Sequence, residues 1–268
     1  GNHTFDHVRL VGSNPATLEH QISNSKKRIE EIEGVGLERD LAGIPIAYVD
    51  PAIMAAGATA DQQAMLESIK KLNSKKLPKL SDLSRIGACV SNPQKFIGIG
   101  LNYKDHAKET NAIPPKEPIV FIKANSSISG PNDNIIIPRN SKKTDWEVEL
   151  GIVIGKKTKY IKENESQDHI FGYCIVNDIS EREFQIEKLG TWDKGKGCDT
   201  FGPIGPYIVT KDEINNVQNL KLELKINNNI MQKGNTNKMI FNVNFLVSYV
   251  SKFMTLFPGD IITTGTPP

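Results

Sequence analysis

The sequence predicts a β-rich α+β protein, and three observations support this class. Short β-like runs dominate the chain from residue 95 onward, few helical patterns separate them, and strands do not alternate regularly with helices. A doubly wound parallel sheet requires that alternation. We therefore expect a mixed β-sheet arranged as a roll or sandwich.

Residues 1–90 form the first predicted unit, a small N-terminal α+β domain. Short apolar runs alternate there with helical patterns, of which 61–72 is the clearest because its apolar residues recur at helical spacing. The segment 74–79 is basic and contains a proline, which predicts an exposed connector.

Residues 91–268 form the second predicted unit and carry most of the strands. The strands are expected at 95–100, 118–124, 134–138, 145–155, 170–177, 206–210, 220–226 and 260–264. Two helices interrupt them. The first spans 180–189 and opens with a capping box of Ser180 and Glu183, and the second spans 243–256 and ends before Pro258.

Composition and charge exclude several classes of protein. Lys and Arg number 33 against 31 Asp and Glu, a net charge of +2, which gives no electrostatic reason to expect binding to nucleic acid or to an anionic membrane. The three cysteines are far apart and form no C-x-x-C pair, so we expect neither a disulfide framework nor a thiolate zinc site. No apolar run approaches the roughly 20 residues that cross a bilayer, and the start lacks a signal-peptide pattern. We therefore expect a cytoplasmic protein.

Acidic and apolar residues alternate along the predicted strand 145–155. Successive side chains of a strand point to opposite faces, so Asp145, Glu147 and Glu149 share one face. The two glutamates would lie roughly 6–7 Å apart, close enough to converge on one hard cation. The segment alone favours an amphipathic strand whose acids face water, with the metal site as the alternative.

Asp178 ends the apolar run 171–178, directly before a predicted helix. It is therefore a candidate metal ligand or, equally, an acid that interacts with the positive end of the helix dipole. Three carboxylates without cysteine or clustered histidine would select Mg²⁺, Mn²⁺ or Ca²⁺ over zinc or copper.

Three further segments carry side chains that catalysis could use. His106 and Glu109 share a face of a helical turn, where the carboxylate could orient the imidazole to deprotonate water, although an exposed charged helix explains the segment better when it is taken alone. Arg182 and Gln185 share a face of the predicted helix 180–189. Lys196 lies in a glycine-rich loop and is a candidate cation for a small anionic substrate.

Taken together, five blocks of the sequence resemble the fumarylacetoacetate hydrolase superfamily. The blocks are Gly100-x-Asn102-Tyr103-x-x-His106-x-x-Glu109, Asp145-Trp146-Glu147-Val148-Glu149-Leu150-Gly151, Asn177-Asp178-Ile179-Ser180-x-Arg182-x-x-Gln185, Lys196-Gly197-x-Asp199-Thr200-x-Gly202-Pro203 and Gly259-Asp260-x-Ile262-x-Thr264-Gly265-Thr266-Pro267. Their order and spacing match from about residue 96 to the end, which is far more specific than any one block. The resemblance reverses the preference for a solvated acidic strand.

The resemblance implies a fold, a cofactor and an assembly. The catalytic domain would be the mixed β-sheet roll or sandwich of this superfamily, usually a homodimer, with Mg²⁺ or Mn²⁺ held by Glu147, Glu149 and Asp178. The metal would chelate a 2-oxo acid. Relatives continue through a glycine-rich loop and final strands, so we expect the given sequence to lack a C-terminal part.

The resemblance also assigns roles to individual side chains. His106 and Glu109 would activate water on a mobile lid, and Lys196 and Gln185 would bind and polarise the substrate. Further contacts with the substrate are expected from Tyr103, Lys123, Arg182 and Thr266.

Three functions follow as hypotheses. The first is metal-dependent hydrolysis of a carbon–carbon bond in a 2,4-dioxo acid, either an acylpyruvate or a 2,4-diketo-3-deoxy sugar acid, with release of pyruvate. The second keeps the metal but replaces hydrolysis by isomerisation, decarboxylation or ureidoglycolate lysis. The third is a non-catalytic protein that binds a metal or an acidic ligand.

Overall fold

A computed structural model describes residues 9–11, 85–90 and 92–268 of the chain. The described strands are β1 (Arg9–Val11), β2 (Phe96–Gly100), β3 (Ile119–Lys123), β4 (Ile128–Ser129), β5 (Thr144–Asp145), β6 (Val148–Ile154), β7 (Ile170–Asn177), β8 (Ser180–Glu181), β9 (Gly202–Pro203), β10 (Val209–Thr210), β11 (Lys221–Ile226), β12 (Asn229–Asn235) and β13 (Ile261–Thr263). The described α-helices are α1 (Lys104–Glu109), α2 (Ser166–His169), α3 (Asp193–Lys196) and α4 (Val243–Ser251). A π-helical turn spans Glu183–Glu187, and short 3₁₀ turns lie at Asn125–Ser127, Glu163–Glu165, Lys211–Glu213, Val217–Asn219 and Thr236–Lys238.

The central element is a six-stranded mixed sheet with the order β10-β7-β6-β13-β2-β3. β13 pairs in parallel with β2, and the other neighbouring strands are antiparallel. A second sheet has the order β1-β11-β12, and two small pairs join β4 to β9 and β5 to β8. This architecture confirms the predicted β-rich mixed fold.

The central strand β6 is buried along its whole length because both faces of the large sheet are covered. On one face Leu150 belongs to a core that includes Leu222 of β11 and Leu246 of α4. On the other face Val153 packs in a second core with Phe96 and Ile204. The alternation along β6 therefore separates two buried faces, and the water-exposed acidic face that segment 145–155 favoured when taken alone is not observed.

Several predicted elements differ from the observed ones for local reasons. Segment 145–155 is interrupted before β6, so that Glu147 lies just outside the strand. Segment 134–138 is not a strand, and its isoleucines Ile136 and Ile137 are exposed. Strand β12 was not predicted because its residues are mostly polar.

The predicted helix 180–189 is replaced by β8 followed by the π-helical turn. The capping box does not form, and the hydroxyl of Ser180 donates to the carbonyl of Asp178. The backbone N–H of Glu183 instead donates to Oε1 of Glu181 at 3.2 Å. Asp178 is consequently not at the start of a regular helix, which removes the alternative role of an acid at the positive end of a helix dipole.

The predicted helical turn at 106–109 and the predicted helix 243–256 are present with adjusted ends. α1 covers the segment with His106 and Glu109. α4 begins after Asn242, whose side-chain oxygen accepts from the N–H of Phe245 at 2.8 Å and caps the first turn. It ends at Ser251, five residues before the predicted end.

The predicted N-terminal domain lies largely outside the described residues, including its helix at 61–72 and its connector at 74–79. Of this segment, β1 pairs antiparallel with β11, with Leu10 opposite Leu222. In the described part of the chain, no helix has the length and apolar character needed to cross a membrane.

Candidate active site and metal centre

Three carboxylates converge at one end of β6 and β7. Glu147, Glu149 and Asp178 each offer an oxygen, and these oxygens lie within 4.8 Å of one another. All three side chains are buried, with Asp178 at 0% exposure and Glu149 at 1%. Three like charges held together away from water require a cationic partner.

Backbone hydrogen bonds between β6 and β7 fix the positions of these carboxylates. The N–H of Glu147 donates to the side-chain oxygen of Asn177 at 3.0 Å, and the N–H of Asp178 donates to the carbonyl of Glu147 at 2.8 Å. Glu149 lies in β6 opposite Val176 of β7. The interruption at Glu147 thus places its side chain beside that of Asp178, which is at the end of the neighbouring strand.

Two cationic side chains contact the Glu147 carboxylate. The ammonium of Lys196 donates to Oε2 of Glu147 and, at 2.8 Å, to Oδ2 of Asp178. The guanidinium of Arg182 donates to Oε1 of Glu147 at 2.6 Å and to Asp145 at 2.8 Å. Asp145 is therefore an ion-pair partner of Arg182 and is not part of the group of three carboxylates.

The pKa values of the two glutamates shift in opposite directions. Burial alone would raise the pKa of Glu147, but the adjacent Lys196 ammonium and Arg182 guanidinium lower it to about 2. Burial and the charges of Asp178 and Glu147 raise the pKa of Glu149 well above its usual value. For Lys196, burial would lower the pKa, but the Asp178 and Glu147 carboxylates raise it, so the ammonium remains charged.

The donor set fits a hard divalent cation. It consists of three carboxylate oxygens without thiolate or imidazole among the clustered groups of the described residues, which favours Mg²⁺, Mn²⁺ or Ca²⁺. A divalent charge would also relieve the repulsion that raises the pKa of Glu149.

The predicted water-activating pair forms on α1. Nδ1 of His106 and Oε2 of Glu109 are 3.0 Å apart, and the two side chains are 21% and 57% exposed. Among the described residues, no hydrogen bond or ion pair connects this pair to the three carboxylates. The pair is therefore partly exposed to solvent and unconnected to the three carboxylates, and its expected place on a lid stays a prediction.

The remaining predicted site residues occupy different environments. Gln185 is buried on the π-helical turn and accepts from Arg182 at 2.9 Å. The hydroxyl of Thr266 donates to the carbonyl of Val148 at 3.0 Å and accepts from Gln232 at 2.8 Å. These bonds hold the segment after β13 against β6, so the Thr266 hydroxyl has a structural role in this geometry.

Tyr103 and Lys123 are both fully buried. The Tyr103 hydroxyl has no partner with good hydrogen-bond geometry among the described residues, and burial, with a smaller contribution from the Glu149 charge, raises its pKa, opposed by the nearby Thr264 hydroxyl. A buried hydroxyl without a partner is costly, so a ligand atom at the site would stabilise it. The ammonium of Lys123 faces three protein oxygens, and a direct contact with the substrate would require it to give up one of them.

Two residues that hold the site together were not predicted from the sequence. Gln232 on β12 accepts from the N–H of Val148 at 2.8 Å and donates to Thr266. Asn102 donates to the carbonyl of Thr264 at 2.8 Å and accepts from the N–H of Phe241 at 2.8 Å. Asn102 belongs to one of the recognised blocks, but Gln232 lies in a polar segment without any distinguishing pattern.

Known proteins resemble this chain in sequence. Residues 95–268 match the family model described as the C-terminal domain of fumarylacetoacetate (FAA) hydrolase. A protein from Burkholderia cenocepacia strain HI2424, named as a hydrolase, is 58% identical over 205 residues, which are 76% of this chain and 73% of the relative.

Solved structures of named enzymes have the same fold. A fumarylacetoacetate hydrolase from Exiguobacterium antarcticum is 36% identical with a TM-score of 0.66, and the match covers 74% of this chain and 71% of that one. A 5-carboxymethyl-2-hydroxymuconate delta-isomerase from Mycobacterium smegmatis is 38% identical with a TM-score of 0.62, over 68% of this chain and 71% of that one. Hydrolases and isomerases thus both occur among the similar structures.

Proposed function

This chain belongs to the fumarylacetoacetate hydrolase family, and from that premise we propose that it is a divalent-metal-dependent hydrolase of 2,4-dioxo acids. The reaction would cleave the carbon–carbon bond between C3 and C4 of an acylpyruvate or a 2,4-diketo-3-deoxy sugar acid and release pyruvate. The observation that carries the proposal is the buried group of Glu147, Glu149 and Asp178 beside the Lys196 ammonium.

The buried group supports Mg²⁺ or Mn²⁺ as the cofactor. A divalent ion held by these three carboxylates would supply Lewis-acid polarisation of the carboxylate and 2-oxo oxygens of the substrate. The Lys196 ammonium is fixed at the edge of the same group. It would stabilise the negative charge that develops on the pyruvate fragment as the bond breaks.

The pair on α1 supports the hydrolytic step. Glu109 contacts Nδ1 of His106, which leaves Nε2 available to take a proton from water. The resulting hydroxide would add to the C4 carbonyl, the C3–C4 bond would break, and a proton would return to C3. The products are pyruvate and the carboxylic acid derived from the acyl group.

A screen for released pyruvate tests this proposal. The purified protein would be incubated with Mg²⁺ or Mn²⁺ and a panel of acylpyruvates and 2,4-diketo-3-deoxy acids, with the products identified by mass spectrometry. We expect pyruvate from at least one member of the panel and none after treatment with a chelator. Absence of pyruvate from every member with either metal would refute the hydrolase assignment.

A metal-dependent isomerase or decarboxylase is the second candidate, because a similar structure is named as a muconate delta-isomerase. Ureidoglycolate lysis belongs to the same group of alternatives. His106→Ala separates these candidates from the hydrolase. Loss of water activation would lower hydrolysis by roughly 100-fold or more, whereas an isomerase that needs no activated water would retain most of its rate.

Two further features are part of the proposal. We propose a homodimer, which size-exclusion chromatography with light scattering would test through the molar mass. We also propose a cytoplasmic location, which the free thiols of Cys89, Cys174 and Cys198 support because thiols persist in a reducing compartment. Cell fractionation would test the location.

A further inference from the structure

We propose that Lys123 is a positioning residue that fixes both the Asp178 carboxylate and the segment carrying Lys196, and that it does not bind substrate. This inference rests on the proposed metal-dependent function and deepens it. It assigns a role to a side chain that lies behind the site and has no exposed surface.

The Lys123 ammonium is hydrogen-bonded to three protein oxygens. Its ammonium donates to Oδ1 of Asp178 at 2.6 Å, to the carbonyl of Ile179 at 3.3 Å and to the carbonyl of Lys196. An ammonium has three N–H donors and no acceptor. All three donors are therefore used, and none remains for a substrate oxygen.

The two carboxylate oxygens of Asp178 accept from two different lysines. Oδ1 accepts from Lys123, and Oδ2 accepts from Lys196 at 2.8 Å. Lys123 thus fixes the rotation of the carboxylate, because Oδ1 is held by Lys123 and Oδ2 is held by Lys196. In this orientation Asp178 would offer a single oxygen to a cation.

β3 also supports α3 at both of its ends. The N–H of Ile122 donates to Oδ1 of Asp193 at 3.0 Å, at the start of α3. Lys123, the next residue of β3, donates to the carbonyl of Lys196 at the end of α3. Two adjacent residues of β3 therefore fix the backbone position of Lys196, from which its side chain extends.

Burial makes this arrangement sensitive to substitution. Lys123 and Asp178 are both 0% exposed, and a buried charge that loses its partner is strongly unfavourable. Removal of the Lys123 ammonium would leave Asp178 with Lys196 as its remaining cationic partner. The Lys196 ammonium would then be drawn further toward Asp178 and away from the position that serves the substrate.

The principal test is Lys123→Met, with Lys95→Met as the matched control. Lys95 lies beside the same sheet and pairs with the buried Asp260 at 3.1 Å, but it contacts none of the three carboxylates. Mn²⁺ affinity would be measured by calorimetry without substrate, and kcat and KM would be measured with the substrate found in the pyruvate screen. We expect Lys123→Met to weaken Mn²⁺ binding by about 10- to 100-fold and to lower kcat, and Lys95→Met to leave the affinity within about twofold.

The outcomes separate this inference from the proposed function. If the unsubstituted protein binds no Mn²⁺, the metal-dependent function and the role of Lys123 both fall. If it binds Mn²⁺ and Lys123→Met binds equally well, the role of Lys123 is refuted while the function stands. An equal loss of Mn²⁺ affinity in Lys95→Met would also refute the role of Lys123. The loss in Lys123→Met would then reflect general destabilisation of the sheet.

Asp193→Ala provides a second test on an exposed side chain if Lys123→Met does not fold. It removes the other polar contact between β3 and α3 and leaves Asp178 untouched. We expect about a 10-fold lower kcat with unchanged Mn²⁺ affinity, by the sensitivity of catalysis to small displacements of a catalytic group. An unchanged kcat would refute the role of β3 as the support of Lys196.

Discussion

The backbone N–H of Gly265 donates a hydrogen bond to Oε2 of Glu149 over 2.8 Å. A buried carboxylate of the candidate metal centre is therefore held by the segment that follows β13. Gly265 has a φ of +88°, and a Cβ added there would lie 2.7 Å from the Cβ of Asn102. The conformation and the space both require glycine at this position.

Gly265→Ala is expected to destabilise the fold and to weaken metal binding. The positive φ costs roughly 1–2 kcal/mol for an alanine, and the clash with Asn102 adds about 1–3 kcal/mol. Gly190→Ala is the control, because Gly190 has a φ of +64° but no atom within 4 Å of the added Cβ. The free energies of unfolding of both variants, measured by urea denaturation, would separate the backbone strain from the clash with Asn102. Equal losses of stability in the two variants would contradict the clash.

The alternation of acidic and apolar residues predicted which acids share a side but not the ends of the strand, and the metal site was favoured only through the resemblance of the five blocks. Period two placed Glu147 and Glu149 on a common side, and both glutamates are in the observed group of carboxylates. It did not predict the interruption before Val148, where the N–H groups of Glu147 and Val148 donate to the side-chain oxygens of Asn177 and Gln232, which are distant in sequence. Tertiary contacts of this kind leave no periodic signal.

The polar supports of the site were harder to predict for the same reason. Lys123 follows an apolar run at the end of β3, where the sequence cannot distinguish a substrate contact from a buried ion pair. The predicted helix 180–189 failed because Ser180 is drawn into pairing with Asp145 across β5 and β8. A local capping pattern competes poorly with a strand pair that also buries Glu181.

Glu149→Gln is expected to reduce Mn²⁺ affinity by at least about 100-fold, because it removes one of three charged ligands. It should leave the thermal midpoint without metal unchanged or slightly higher. The reason is that burial and two neighbouring carboxylates disfavour the charged form of Glu149. Calorimetry with Mn²⁺ and thermal melts with and without the metal would measure both effects.

Glu181→Gln is the control for that substitution. Glu181 is also a fully buried glutamate, but it accepts from Thr144 at 3.1 Å and from the N–H of Glu183 at 3.2 Å and is not in the group of three. We expect it to lower the thermal midpoint and to retain Mn²⁺ affinity. The metal assignment would be contradicted if both substitutions weakened Mn²⁺ binding to the same extent.

Glu109→Gln tests the water-activating pair. The carboxylate contacts Nδ1 of His106 at 3.0 Å, so its removal would take away the partner that orients the imidazole and fixes its tautomer without removing the ring. We expect kcat to fall by roughly 10- to 100-fold with KM within about threefold. Steady-state kinetics of pyruvate release would measure the two constants.

Asp105→Asn is the matched control on the same helix. Among the described residues, Asp105 accepts from the backbone N–H of His106, at 3.1 Å, and not from the imidazole. Its substitution is expected to change kcat by less than about threefold, since asparagine keeps an oxygen that can accept the same hydrogen bond. A change in KM alone in Glu109→Gln, or equal losses of kcat in the two variants, would argue against water activation by this pair.

The buried side chain of Tyr173 is expected to make the fold less stable at alkaline pH. Burial, opposed by a hydrogen bond with Gln167, raises the pKa of Tyr173 to about 12, whereas a tyrosine in the unfolded chain has a pKa of about 10. Below pH 10 both states hold the proton and this contribution is fully present. Between pH 10 and 12 the unfolded chain ionises while the folded protein does not, so stability falls by at most about 2–3 kcal/mol.

Tyr173→Phe isolates that contribution from other alkaline effects. At pH 8 the variant should be less stable by about 1 kcal/mol because it loses the bond with Gln167, and this deficit should shrink or reverse as the pH approaches 11. Tyr160→Phe is the control, since the Tyr160 side chain is 72% exposed. Urea denaturation at pH 8, 10 and 11 would give the free energies of unfolding, and a deficit of Tyr173→Phe that stays constant with pH would refute the burial argument.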